Sequence, residues 1–319
     1  MAVYTEVSDE DVEAFVAAYA IGEVVSLAGI AEGVENTNFL LRTTTGAYIL
    51  TLYEKRVRRE DLPFFIGLME HLAAKGLACP TPIPARDGAV LRELKGRPAA
   101  IVSFLEGLWP RRILPEHCAG VGQALAALHL AGADFPMRRA NNLSLAGWRP
   151  LFQASAGRAH EVRPGLSAAL GEELAFLEAN WPAGLPEGVI HADLFPDNVF
   201  FRGQQVSGLI DFYFACTDAF AYDLAICLNA WCFEADGSFN VTKGRLLAGA
   251  YQRLRPLSDA EVAALPTLCR GAALRFLLTR LYDWLNHPPG AFVKPKDPLE
   301  YFAKLRFHQR AGGPAGYGL

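Results

Sequence analysis

Ser8, with Asp11 three residues on, precedes an apolar stripe of Val12, Phe15, Val16 and Tyr19 at helical spacing, which predicts a short capped helix. From Val24 the period changes. Short β-branched and aromatic runs at 24–30, 36–44 and 47–54, separated by glycine-containing turns, predict strands of an antiparallel sheet. A helix is predicted over 61–75, with Leu62, Phe65, Leu68, Met69 and Leu72 on its apolar side, and a further strand over 99–107. Beyond about residue 110 the pattern turns helical, with Cys118, Val121, Leu125 and Leu128 at helical spacing and a second such run over 166–181. Two short apolar runs, 188–191 and 206–212, interrupt it as strands. From Ala221 to about His308 the chain reads as helix, broken near 253–259 and 286–298. No internal repeat or low-complexity segment is present. The outline is α+β: a β-rich first lobe over 1–105, a connection near 103–110, and a helical second lobe over 106–319.

A chain of 319 residues exceeds the usual single core, and 51% hydrophobic residues with a mean hydropathy of +0.15 are enough to bury two packed bodies. The net charge of -4 and pI near 6.0 exclude bulk attraction to nucleic acid or to an anionic membrane, so any bound phosphate needs a local site. The six cysteines form no C-x-x-C pair and read as reduced core residues. The acidic start lacks the pattern of a signal peptide, and no run reaches about 20 consecutive apolar residues. The expectation is a cytoplasmic protein without membrane or nucleic-acid partners. The oligomeric state, monomer or small homo-oligomer, stays open.

The densest chemistry lies in "VIHADLFPDNVFF" at 189–201, followed by Asp211 at the end of the next apolar run. Phosphoryl transfer asks little covalent work of a protein. It needs a carboxylate to orient and deprotonate the attacking hydroxyl, and hard oxygen ligands for Mg²⁺. Asp193 fits the first role; Asn198 and Asp211 fit the second, brought together by a hairpin between two short strands. His191 reads as a buried support for the loop and Asp197 as a solvated residue or local cap. Two other readings stay open at this point: satisfied polar residues in a turn, and a His/Asp metallohydrolase.

The segment "HADLFPDN" with "LIDF" resembles the catalytic and metal-binding part of the aminoglycoside phosphotransferases and choline kinases, distant relatives of protein kinases. Further segments resemble the kinase-like homoserine kinases from near the N-terminus to about residue 308: "GIAEGVENTNFLL", "YILTLYEKR", "PFFIGLMEHLA", "GLIDFYFACTDAFAYDLAICLNAWCF" and "LRFLLTRLYDWL". The resemblance implies a bilobal protein-kinase-like fold and transfer of a phosphoryl group from ATP, with Mg²⁺, to L-homoserine. The product would be O-phospho-L-homoserine, an intermediate of threonine biosynthesis. In that frame Asp193 and His191 form the catalytic loop, and Gly29, Gly33 and Asn36 lie in the nucleotide turn. The backbone near Ser103 and Leu105 holds adenine, Asn198 and Asp211 hold Mg²⁺, and Asp223 braces the loop. Asp218 is a weaker candidate for a substrate contact.

The sequence departs from that class in the first lobe. Residues 29–36 carry Glu32 and Glu35 and no G-x-G, so they also suit an ordinary hairpin turn. Kinases of this class place Lys or Arg on the third strand, paired with a helical Glu. Here Thr51 and Phe65 fall at those positions, and a buried Glu without its cation would be costly, so the two absences agree. Lys55 and Arg56 are the nearest other cations in sequence. Arg275, Arg280 and Asp283 are candidates for the charged ends of homoserine. Another small alcohol (choline, methylthioribose or an aminoglycoside) and a non-catalytic nucleotide-binding module remain alternatives.

Overall fold

The structure is a computed structural model in which residues 5–30, 36–54, 57–287 and 295–319 are described. The chain forms two compact units, Met1–Glu106 with Gly208–Tyr213, and Gly107–Ser207 with Phe214–Leu319.

The first unit opens with α1 (Asp9–Val16), whose N-terminus is closed reciprocally: the Ser8 hydroxyl accepts the Asp11 N–H, and the Asp11 carboxylate accepts the Ser8 N–H. The helix stops at Val16. Tyr19, expected on its stripe, instead bridges to Ala85 and is 1% exposed. β1 (Val24–Gly29), β2 (Thr37–Thr43) and β3 (Gly46–Leu52) follow, then α2 (Leu62–Ala74), β4 (Arg92–Leu94) and β5 (Arg97–Ser103). The strands make an antiparallel sheet in the order β1-β2-β3-β5-β4. β4, three residues long, carries too little pattern to be read from sequence. Alternate residues of β2, including Phe39 and Leu41, join Val12, Phe15, Val16, Leu50, Leu52 and Ile101 in one core. The apolar side of α2 is buried as its spacing requires.

The second unit contains α3 (Pro115–Ala131), α4 (Leu145–Ala156), α5 (Leu166–Asn180), β6 (Glu187–Ile190), β7 (Val199–Arg202) and the start of its pairing strand β8 (Gln205–Leu209), whose last two residues are counted with the first unit. It continues with β9 (Cys216–Ala219), α6 (Phe220–Trp231), α7 (Val241–Leu254), α8 (Asp259–Leu285) and α9 (Pro298–Arg310). The helices α3 and α7 approach closely because Gly122 has no side chain: a Cβ there would lie 2.0 Å from the Leu247 carbonyl oxygen. α6 and α9 both pack on α8, which has the length and composition of a membrane span, yet 61% of its apolar window is buried in the protein. It is a core helix.

Two strand expectations change. The run at 206–212 ends as a strand at Leu209, because Asp211 takes a left-handed backbone (φ 64°) and residues 212–214 form a tight turn. β9 has no counterpart among the expected strands; its Cys216 pairs with Ile190, so it flanks β6. Four residues with Thr217 and Asp218 among them show no apolar alternation.

Candidate active site

β6 delivers the chain into His191-Ala192-Asp193, and Ala192 there holds φ 63°. For a residue with a Cβ that conformation costs about 1–2 kcal/mol, so the surroundings must impose it. They do so through α6. The Asp223 carboxylate, in the first turn of that helix, accepts the backbone N–H of His191 (2.7 Å) and of Ala192 (2.9 Å). A third donor is the His129 Nε2–H of α3, 3.1 Å away, while His129 Nδ1 takes the hydroxyl proton of Tyr251 on α7 at 2.7 Å.

Asp223 and His129 are both completely buried. Burial alone would raise the Asp223 carboxyl; the His129 hydrogen bond and the backbone donors outweigh it and hold the group below its ordinary 3.8. Burial also lowers the basicity of His129, against the pull of Asp223. The consistent state is a neutral imidazole donating to a carboxylate whose charge is satisfied by hydrogen bonds.

The opposite side of the loop is clamped as firmly. Arg275 of α8, 1% exposed, donates through one terminal guanidinium nitrogen to the Ala192 carbonyl at 2.6 Å. The Trp231 indole N–H donates to the Leu194 carbonyl at 2.8 Å, and His191 Nδ1 accepts the Asp193 N–H at 3.3 Å. His191 is fully buried and therefore acts on the loop. The Asn198 amide nitrogen donates to the Asp193 carbonyl (2.8 Å) and to Asp193 Oδ2 (3.2 Å). That pair of bonds fixes the amide flip and leaves Oδ1 of Asn198 as the oxygen suited to a hard cation. The Asp193 carboxylate, by contrast, is only half-buried. Asp197 is exposed, 3.7 Å from the ammonium of Lys296.

In the first unit, Asp211 stands between Leu209, whose N–H donates to the Ala78 carbonyl, and Phe212, which is 1% exposed. Thr51 and Phe65 are both buried beside Tyr213. Gly29 ends β1 opposite Phe39 and is exposed; Asn36 is buried, its side-chain oxygen accepting the Glu54 N–H at 3.3 Å. Gly33, Glu32, Glu35, Lys55 and Arg56 lie outside the described residues. Ser103 N–H is taken by the Thr81 carbonyl, so a purine held by this backbone would use the residues just beyond it. Leu105 lays its side chain on Gly208, where a Cβ would come within 2.7 Å.

The candidates for substrate contacts fare differently. Arg275 is engaged by the loop. Arg280 pairs with Glu300 at 2.6 Å, and Asp283 is half-buried near the end of α8. Asp218 on β9 is half-buried and bonded to Asn141 at 2.7 Å, and burial raises its carboxyl above the ordinary 3.8 against that bond. Sequence reasoning missed His129, Tyr251 and Trp231, and it did not see that Arg275 holds the loop. Each sits in an apolar helical stripe, where the only available signal is a polar-tipped residue on a face that must be buried.

The model of the phosphotransferase enzyme family matches residues 26–257. A homoserine kinase of Xanthobacter autotrophicus is 68% identical over 319 residues, covering 100% of this chain and 99% of that protein. A homoserine kinase of Paramagnetospirillum magneticum is 66% identical over 325 residues, covering 100% of both. Among solved structures, a microcompartment-associated aminopropanol kinase superposes with a TM-score of 0.70 at 19% identity, over 98% of this chain and 99% of that one. At that identity the likeness shows the fold, which is protein-kinase-like.

Proposed function

The chain belongs to the phosphotransferase enzyme family, and on that premise we propose that it transfers the terminal phosphoryl group of ATP to the hydroxyl of L-homoserine. The product is O-phospho-L-homoserine, a step of threonine biosynthesis. The observation that carries the acceptor is the 68% identity, over the full length, to a homoserine kinase.

Asp193 orients the homoserine hydroxyl and accepts its proton as the oxygen attacks the phosphorus. Two features suit it to that role. Its carboxylate is half-buried and can meet a substrate, and its backbone is held on both sides, so the group need not be ordered when substrate arrives. His191, buried behind it, keeps the Asp193 amide in place. Asn198, through Oδ1, and Asp211 are the ligands proposed for Mg²⁺; their oxygen donors match what that ion prefers. When bound, the ion compensates charge on the transferring phosphoryl group. Gly29, Gly33 and Asn36 are proposed for the nucleotide turn, with the Asn36 side-chain oxygen already committed to the backbone. Adenine is proposed to meet the backbone at 103–105.

A coupled ADP-release assay with homoserine, choline, methylthioribose and an aminoglycoside tests the reading. Turnover with homoserine well above the rest is expected. Turnover of any other alcohol in its place would overturn the acceptor, and ATP binding without turnover of any would overturn the enzyme.

A further inference from the structure

Asp211, like Ala192, is a non-glycine residue with a left-handed backbone, at φ 64°, and something must hold it there. The chain two residues later offers an explanation. Tyr213 presents its ring edge to Tyr53, with centroids 5.3 Å apart at 80°, and to Phe65, 5.7 Å apart at 88°. Its hydroxyl lies 3.3 Å from that of Tyr53. Thr51 Oγ1, beside this pair on β3, donates to Asn38 Oδ1 of β2 at 2.8 Å.

Thr51 and Phe65 occupy the places where kinases of this class put the strand cation and the helical Glu. That ion pair ties the helix to the third strand. Here the same strand and helix are instead tied through a residue of the metal-ligand segment itself, with no charge in the cluster. We propose that Tyr213 is a positioning residue for Asp211, held by the hydroxyl of Tyr53 and the rings of Tyr53 and Phe65, and that this uncharged cluster takes over the anchoring role of the missing ion pair. The inference rests on the reading above, in which Asp211 serves Mg²⁺–ATP. Burial raises Tyr213 to about 12 and Tyr53 well above its ordinary value, so both phenols keep their protons through the working pH range. The anchor does not titrate.

The test is Tyr213→Phe, which keeps the ring packing and removes the hydroxyl, with Tyr53→Phe as a second, near-isosteric removal of the partner hydroxyl. Loss of one such hydrogen bond is expected to raise the calorimetric Kd for Mg²⁺–ATP, and with it the Mg²⁺ concentration for half-maximal rate, by about 2- to 10-fold. The KM for homoserine should stay at the wild-type value, a split that a general loss of folding would not produce. Adding Tyr53→Phe to Tyr213→Phe should change little further, because both remove the same bond. Wild-type Mg²⁺–ATP binding and Mg²⁺ dependence in Tyr213→Phe and Tyr53→Phe, in a protein that phosphorylates homoserine, overturn the positioning role alone. Wild-type protein without ATP-dependent turnover overturns the proposed function, and this inference with it.

Discussion

Asp223 Oδ1 accepts the backbone N–H of Ala192 at 2.9 Å, and Ala192 is the residue of the loop with a left-handed backbone. The bond explains how an alanine stays where glycine would be expected. The same carboxylate also takes the His191 N–H at 2.7 Å, so successive amides point at one buried charge and the next residue, Asp193, is turned outward.

Asp193→Ala is expected to lower kcat by ~10²–10⁴, the range of a lost general base, while Mg²⁺–ATP still binds. Steady-state kinetics with homoserine, alongside calorimetric titration with the nucleotide, separates the two effects. Unchanged turnover would remove Asp193 from the role.

Asp223→Asn should act through the loop. The amide cannot accept all the donors the carboxylate accepts, and its own NH₂ must face one of them. The buried site is expected to lose about 1.5–3 kcal/mol, the range for a hydrogen bond to a charged group, with kcat falling as Ala192 relaxes. Chemical denaturation together with kinetics measures both. Wild-type values in each would show that the loop holds its own shape.

His129 and His308 predict sensitivity to acid. His308, between Tyr317 and Asn229, is lowered from 6.5 to about 3 by burial first and by Lys304 and Arg270 after it, and burial also lowers His129. The unfolded chain binds these protons near pH 6.5 while the fold refuses them. Their stabilisation is therefore complete above that pH and is lost as pH falls toward 3. The lowered Asp223 carboxyl acts in the same direction, but only below its unfolded value near 3.8. Between pH 6 and pH 4 the proton refused by His308 should remove about 1.4 kcal/mol per pH unit. Denaturation midpoints of the wild type and of His308→Asn across that range give the check; parallel curves would contradict it.

Thr51→Lys alone would bury a cation beside Tyr213 with no carboxylate designed for it, and a loss of several kcal/mol is expected. Thr51→Lys with Phe65→Glu supplies the missing partner and should recover part of that loss. Thermal midpoints of the single and double variants test this, and a double variant no more stable than Thr51→Lys would reject the equivalence of the two positions.

Much of this molecule was written locally. The stripe from Val12 to Val16, the alternation of Phe39 and Leu41 and the apolar side of α2 follow from periods of 3.6 and 2, and each is buried as its period requires. The loop residues Asp193 and Asn198 could be named because their spacing is short enough for neighbours in sequence to meet, as their 3.2 Å contact shows. What period and spacing do not contain is the partner of a buried face. His129 meets Asp223 across 94 residues of chain and Tyr53 meets Tyr213 across 160, and only packing chooses those pairs. The left-handed backbones of Ala192 and Asp211 were hidden for a related reason: neither residue prefers that conformation, so it exists only because distant groups enforce it.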